Sequence, residues 1–156
     1  MDTKEFERLT ALFLDCIYRV AWNGCRNYAD TEDVVQNTFL KLLERSEGFP
    51  EDAQAKYWLI RVAMNECKSL WRTPWRQRVT STEELFSEPA FENPEESNLY
   101  YAVGELPVKY RQVVHLYYFE DYSVKEIAGI LTLSETAVQT RLLRARQKLK
   151  EKLREA

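Results

Sequence analysis

Between positions 56 and 72, Lys56, Tyr57, Trp58, Arg61, Asn65, Lys68, Trp71 and Arg72 mix cations, aromatic rings and an amide. That mixture suits single-stranded nucleic acid. Cations follow the backbone, exposed rings stack on unpaired bases at about 1 to 3 kcal/mol per base, and an amide can hydrogen-bond a base edge. The competing reading is a solvated helix with Trp58 or Leu59 in the core, and spacing alone leaves both open. A second stretch is basic: Arg141, Arg144, Arg146, Lys148, Lys150, Lys152 and Arg154 fall within fourteen residues, interrupted only by Glu151. This density is typical of a phosphate-facing helix, although a solvated helix face carries charge in the same way.

Catalytic and metal chemistry find less support. His115 is the only histidine, no Ser or Cys nucleophile stands at a recognisable spacing, and no His–Asp partner motif is present. Cys16, Cys25 and Cys67 are odd in number and form no C-x-x-C pair, so no disulfide framework is expected. Together with His115 they formally make a Cys₃His zinc set. They are far apart and each lies in an apolar helical run, which favours buried core thiols. The expectation is no catalytic residue, no metal and no cofactor, with His115 a structural or surface side chain.

The chain has 156 residues, of which 45% are hydrophobic, enough to build cores. Only 4 Gly and 5 Pro disfavour Gly-rich phosphate loops and hairpin-rich β-folds, leaving an all-α protein. No apolar run approaches the roughly 20 residues that span a bilayer, and the charged start Met1-Asp2-Thr3-Lys4-Glu5 lacks a signal-peptide layout. The expectation is a cytoplasmic protein without membrane insertion.

Charge divides the chain. Residues 1–72 carry 10 basic and 12 acidic side chains, residues 73–98 carry 2 and 6, and residues 99–156 carry 10 and 7, giving nets of −2, −4 and +3. The middle span holds three prolines and no sustained apolar period, which reads as an acidic linker with Phe86 and Phe91 as local anchors. Two small helical domains follow: an N-terminal bundle of three to four helices at 1–72 and a C-terminal helix-turn-helix domain at 99–156.

In the first block, Phe6, Leu9, Phe13, Cys16 or Ile17, and Val20 predict a helix from about Thr3 to Trp22. Asp30 or Thr31 is the expected cap of a second helix, whose buried face is Val35, Phe39, Leu42 and Leu43. Gly48 and Pro50 break the chain. A third helix, from about Asp52 to Trp71, carries Ala55, Trp58 or Leu59, Val62, Cys67 and Leu70 on its apolar stripe and stops before Thr73-Pro74.

In the second block, Asn93 caps a helix through Leu99 and Val103, and Pro107 starts another over VKYRQVVHLYYFE with Tyr110, Val113, Val114 and Tyr117 on one side. Ser123 and Glu126 form a capping box opening a short helix to Leu131. Thr132-Leu133-Ser134 makes a tight break before a longer helix with Val138, Leu142, Ala145 and Leu149 inward. This order is that of a helix-turn-helix. At about 100° per residue, Gln139, Thr140, Leu143, Arg144 and Gln147 point outward while Arg141 and Arg146 lie on the flanks. Arg can fork onto guanine, Gln onto adenine, and Leu or the Thr methyl can touch thymine methyls in the major groove.

These residues resemble the extracytoplasmic-function group of the bacterial sigma-70 family over nearly the whole chain. Asp33-Val34-Val35-Gln36-Asn37-Thr38-Phe39 resembles that family's clamp-gripping helix, and the stretch from Tyr57 to Asn65 resembles its minus-ten reading helix. Leu106-Pro107, the stretch from Ser123 to Ala128, and that from Arg141 to Arg146 resemble its minus-35 domain. The sequence departs from the family at Asn37, where an acidic residue is usual, at Thr132-Leu133, which lacks the common turn glycine, and at Gln139, where Lys or Arg is frequent.

The resemblance implies a sigma factor that binds core RNA polymerase, directs it to promoters and helps melt the minus-ten region, leaving phosphodiester chemistry to the polymerase. It implies polymerase binding by Asp33, Gln36 and Phe39, and minus-ten contacts by Lys56, Trp58, Arg61, Asn65, Lys68 and Arg72. It implies minus-35 contacts by Gln139, Thr140, Arg141, Leu143, Arg144, Arg146 and Gln147. Core RNA polymerase, promoter DNA and an anti-sigma factor are the implied partners. The alternative is an autonomous helix-turn-helix regulator, which would bind an operator without polymerase.

Overall fold

A computed structural model describes residues 1–71 and 94–155, and every regular element among them is helical. The described helices fall into two compact units, one within Met1–Leu85 and one within Phe86–Ala156. Arg72, Phe86, Phe91 and Asn93 lie outside the described residues, as does most of the span expected to be a linker.

The first unit contains three helices. α1 (Thr3–Cys25) buries Leu9, Phe13, Cys16, Ile17, Val20 and Ala21 at helical spacing and runs past the expected end at Trp22. It stops at Arg26, which takes the left-handed conformation at φ 58° and donates its N–H to the Trp22 carbonyl at 2.8 Å. α2 (Tyr28–Glu44) starts earlier than expected, because its cap is Asn27 rather than Asp30 or Thr31. The Asn27 side-chain oxygen accepts from the Asp30 N–H at 2.8 Å while its amide donates to the Asp30 carboxylate at 2.9 Å. Asp30 thus becomes a partner of the cap, as the third residue of a capping box does.

The buried face of α2 is Thr31, Val34, Val35, Thr38, Phe39 and Leu42. Leu43, expected in that face, is 45% exposed, since the next residue after Leu42 turns about 100° away. α3 (Asp52–Trp71) buries Ala55, Leu59, Ile60, Ala63, Met64 and Cys67. The choice between Trp58 and Leu59 therefore falls to Leu59, and the expected core positions Val62 and Leu70 are only half-buried. Arg8 ties the start of α1 to the start of α3. Its guanidinium forks onto Asp52 at 2.8 and 2.9 Å and also holds Glu5 at 2.7 Å.

The second unit contains α4 (Pro94–Glu105), α5 (Val108–Val114), a π-helical turn (His115–Phe119), α6 (Val124–Leu131) and α7 (Glu135–Glu155). The sequence predicts one uninterrupted helix through Glu120. Instead the helix widens: the Glu120 N–H donates to the His115 carbonyl at 3.1 Å and the Tyr122 N–H to the Leu116 carbonyl at 3.0 Å. Residues 112–116 are all buried, so the end of α5 and the start of the wide turn are enclosed on every side. The wide turn draws His115 and Glu120 inward together, with 3.6 Å between Nε2 and Oε2, and leaves Tyr118 and Phe119 exposed.

Leu106, Tyr110, Val114 and Ala145 form a core cluster completed by Val103 and Leu149. The Ser123–Glu126 capping box opens α6 at 3.1 and 3.0 Å. Thr132, in the left-handed conformation at φ 58°, makes the turn that the family's glycine would make, and the Leu133 N–H donates to the Ala128 carbonyl at 2.9 Å. Ser134 then caps α7 by accepting from the Ala137 N–H at 3.1 Å.

Candidate nucleic-acid and polymerase interfaces

On α2, burying Val34, Val35, Thr38, Phe39 and Leu42 leaves Asp33 and Gln36 exposed on the opposite side. Phe39 does not join them. It is 7% exposed and belongs to the core, so it supports the helix from within. Leu40 and Leu43, at 47% and 45% exposure, extend the stripe of Asp33 and Gln36 instead. All four residues lie within an arc of about 80°. Asn37, where the family's acidic residue is missing, donates to Glu66 of α3 at 3.5 Å, and Lys41 pairs with the same carboxylate at 2.6 Å. These contacts fix the side of α2 that faces α3.

The α3 stripe opposite its core contains Trp58, Arg61, Asn65 and Lys68, with Arg61 and Asn65 exposed and Trp58 and Lys68 half-buried. Lys56 falls about 140° from Arg61, on the side of the buried stripe, so the fold does not bring it onto this face. Trp58 is partly covered. Its ring centroid lies 5.7 Å from that of Phe49, and the Arg45 guanidinium lies 4.2 Å from the Phe49 centroid and 5.1 Å from the Trp58 centroid. Arg45 is itself held by the Glu47 carbonyl at 3.0 Å. The loop before α3 therefore sets the Trp58 ring, which sequence spacing does not reveal because Arg45 and Phe49 stand outside the helical period.

On α7, Val138, Leu142 and Ala145 are at most 2% exposed and fix the helix's rotation. Gln139, Leu143, Arg144, Arg146 and Gln147 are consequently exposed, and Thr140 and Arg141 are half-buried at the margins. Leu143, at 55% exposure, gives the face an apolar point. Two neighbours from the preceding elements belong to the same surface. The Arg146 Nε donates to the Tyr118 hydroxyl at 2.7 Å. Lys109 and Lys148 approach the Tyr110 ring at 5.1 and 5.7 Å. Burial pushes the Tyr110 phenol up, but Lys109, Arg144 and Lys148 outweigh it and leave the group below the usual tyrosine range. Tyr110 thus marks a local positive field made by α5 and α7 together.

His115 is buried at 7% exposure and stacks on Phe119 with 5.5 Å between centroids, in keeping with a structural side chain. Cys16 and Cys67 are buried, whereas Cys25, expected to be a core thiol, is half-exposed because it ends α1. Among the described residues no three His, Cys, Asp or Glu side chains gather as a metal site, and no helix is long and apolar enough to cross a membrane.

The family described as "Sigma-70 region 2" matches residues 10–77, and "Sigma-70, region 4" matches residues 97–149. The chain is similar to RNA polymerase sigma factor SigV of Bacillus subtilis, at 29% identity over 91% of each chain. It is similar to RNA polymerase sigma factor CnrH of Cupriavidus metallidurans at 32% identity, covering 77% of this chain and 71% of that protein. Among solved structures, the fold matches sigma factor RpoE in its complex with the anti-sigma factor NepR from Bartonella quintana, with TM-score 0.80 and 24% identity over 97% of this chain and 98% of that one. It also matches CnrH in complex with the cytosolic domain of CnrY, with TM-score 0.69 and 26% identity over 99% and 90% of the two chains. The two matched regions contain, in order, α3 with its exposed cationic stripe and the helix-turn-helix of α6 and α7, and the chain belongs to the extracytoplasmic-function group of the sigma-70 family of RNA polymerase sigma factors.

Proposed function

We propose that residues 1–72 act as the polymerase-binding and minus-ten domain of this sigma factor, residues 73–98 as an acidic linker and residues 99–156 as its minus-35 domain. Asp33 and Gln36, with Leu40 and Leu43 beside them, meet core RNA polymerase, while Phe39 holds their helix in place. Trp58, Arg61, Asn65 and Lys68, together with Arg72, take the unpaired minus-ten strand. Gln139, Thr140, Leu143, Arg144 and Gln147 read the minus-35 duplex, and Arg141 and Arg146 hold its phosphates.

The observation that carries this reading is α7: a fully buried Val138-Leu142-Ala145 stripe turns an arginine and two glutamines outward directly after a capped turn. The acidic first block explains why DNA is met with polymerase rather than alone, since few clustered cations release few counterions. No catalytic side chain is required, because the polymerase performs the chemistry, and the site of action is the cytoplasm. The complexes of RpoE with the anti-sigma factor NepR and of CnrH with the cytosolic domain of CnrY support an anti-sigma partner for this chain as well.

Gel shifts on a promoter library with and without core polymerase test the proposal. Retention of defined promoters only in the presence of core enzyme, followed by transcription from them, is the expected result. Tight sequence-specific binding by the chain alone, with no change on adding core enzyme, would instead mark an autonomous regulator.

A further inference from the structure

Cys25 ends α1 and Cys67 lies in the last part of α3, and their Sγ atoms are 3.7 Å apart although 42 positions separate them in the chain. Cys67 is fully buried and Cys25 half-buried, so the pair has one residue at the margin of the core and one in contact behind it. Gly24 makes the approach possible. A Cβ at that position would stand 2.9 Å from the Cys67 Sγ and 3.5 Å from its Cβ, displacing the buried thiol.

We propose that Cys25 and Cys67 form an oxidisable pair, a modification site at which a hydroperoxide closes a disulfide between α1 and α3. The Cys25 thiolate attacks the peroxide O–O bond, giving a Cys25 sulfenic acid and releasing water or an alcohol. The Cys67 sulfur then attacks the Cys25 sulfur and expels a second water as the S–S bond forms. Two thiols lose two electrons and two protons, and the peroxide accepts them. The position of Cys25 at the negative end of α1 disfavours its thiolate, so the first step is slow. The second is fast, because the resolving thiol is already in contact. Closure requires the sulfurs to move from 3.7 Å to the roughly 2.05 Å of a disulfide. Closure ties the end of α1 to the helix that presents Asn65 and Lys68, and it is reversed by a reducing thiol.

The test treats the reduced full-length chain with hydrogen peroxide, alkylates it in denaturant and maps it by mass spectrometry. The expected product is a monomer lacking two hydrogens, with Cys25 joined to Cys67, Cys16 still alkylated, and full reversal by dithiothreitol. Cys16→Ala should retain closure. Cys25→Ser, a change at a half-buried position, should abolish it and leave Cys16 and Cys67 alkylatable. The closed form should melt about 10 °C higher, since the crosslink removes entropy from the unfolded chain. Three alkylatable thiols after peroxide, a bond through Cys16, intermolecular dimers alone, or a lowered melting point would each overturn the assignment.

Discussion

The Nε of Arg146 donates to the Tyr118 hydroxyl at 2.7 Å, tying the recognition helix α7 to the π-helical turn that follows α5. The same guanidinium lies 5.8 and 5.7 Å from the Tyr117 and Tyr118 ring centroids. Tyr118 uses an oxygen lone pair for Arg146, which leaves its own O–H and the two terminal nitrogens of the arginine for a phosphate. Arg146 is therefore already oriented before DNA arrives, the arrangement expected of a backbone clamp rather than a base reader.

Arg146→Ala should accordingly weaken binding of the holoenzyme to all minus-35 sequences alike and lower the salt slope by roughly one phosphate contact. Tyr118→Phe keeps the ring and the net charge, so it should weaken binding uniformly with the slope unchanged. In an Arg146→Ala background the Tyr118→Phe effect should vanish, because the two act as a unit. Titrations at two salt concentrations check this, and additive losses would show that the tyrosine does not act through the arginine.

Arg144 should behave differently. It is exposed on the outward face and stands in the positive field around Tyr110 with Lys109 and Lys148. If it forks onto guanine O6 and N7, Arg144→Ala loses about 1 to 3 kcal/mol at one base-pair position and relaxes preference there. Binding-site selection with the variant holoenzyme provides the readout. A uniform loss across positions would move Arg144 into the clamp.

Where apolar period and helix punctuation agree, the sequence predicts the extent of α3 and the outward face of α7, because burial of Val138, Leu142 and Ala145 leaves Arg144 only one direction. The misses have different causes. Asn27 caps α2 ahead of the expected Asp30, since reciprocal side-chain contacts decided between neighbouring polar residues. Phe39 reads as an interface residue by resemblance, yet its place in the period puts it in the core. Tyr118 and Lys109 are brought to α7 from another element, and the π-helical turn that exposes Tyr118 has no local sequence signature. Contacts between elements, unlike the faces of elements, are not written in spacing.

Thr132 carries the turn between α6 and α7 at φ 58° and ψ 51°, a conformation that a β-branched side chain resists and glycine adopts freely. Thr132→Gly should stabilise the protein by about 1 kcal/mol, because the local cost of the left-handed residue is about 1 to 2 kcal/mol and added unfolded-state entropy offsets part of it. A rise of several degrees in melting temperature is the expected result. A fall would mean that the threonine side chain contributes more than its strain costs.

The Arg8 bridge gives a pH dependence with a defined sign. Hydrogen bonds from Arg8 hold the Asp52 and Glu5 carboxyls below the usual carboxylate range in the folded chain. Unfolded, they titrate at the ordinary value of about 4, so the bridge's contribution is present above that pH and is lost as pH falls through the depressed folded values. Arg8→Ala should lower the melting temperature at pH 7 by a modest amount, since both partners are 49% exposed. The gap between parent and variant should narrow as pH falls below about 4 through the depressed folded values. Thermal scans across that range check it; a gap that persists in acid would assign the effect to packing of the arginine stem.

Asn65 stands exposed on the α3 stripe between Arg61 and Lys68, while Cys67 and Met64 anchor the helix beneath it. Its amide offers a donor and an acceptor together, a pair that matches a base edge once that edge has left its Watson–Crick partner. On the proposed function, Asn65 should contribute to opening of the promoter rather than to its location. Asn65→Ala holoenzyme should keep its affinity for a duplex carrying the minus-35 element, which α7 holds independently. It should show weaker permanganate reactivity of minus-ten thymines and a slower approach to the open complex. Arg61→Ala, which removes a cation from the same stripe, should instead reduce affinity for minus-ten single strand at low salt and matter less as salt rises. Equal permanganate reactivity in Asn65→Ala and the parent would remove Asn65 from the melting step and leave the stripe with a backbone-tracking role alone.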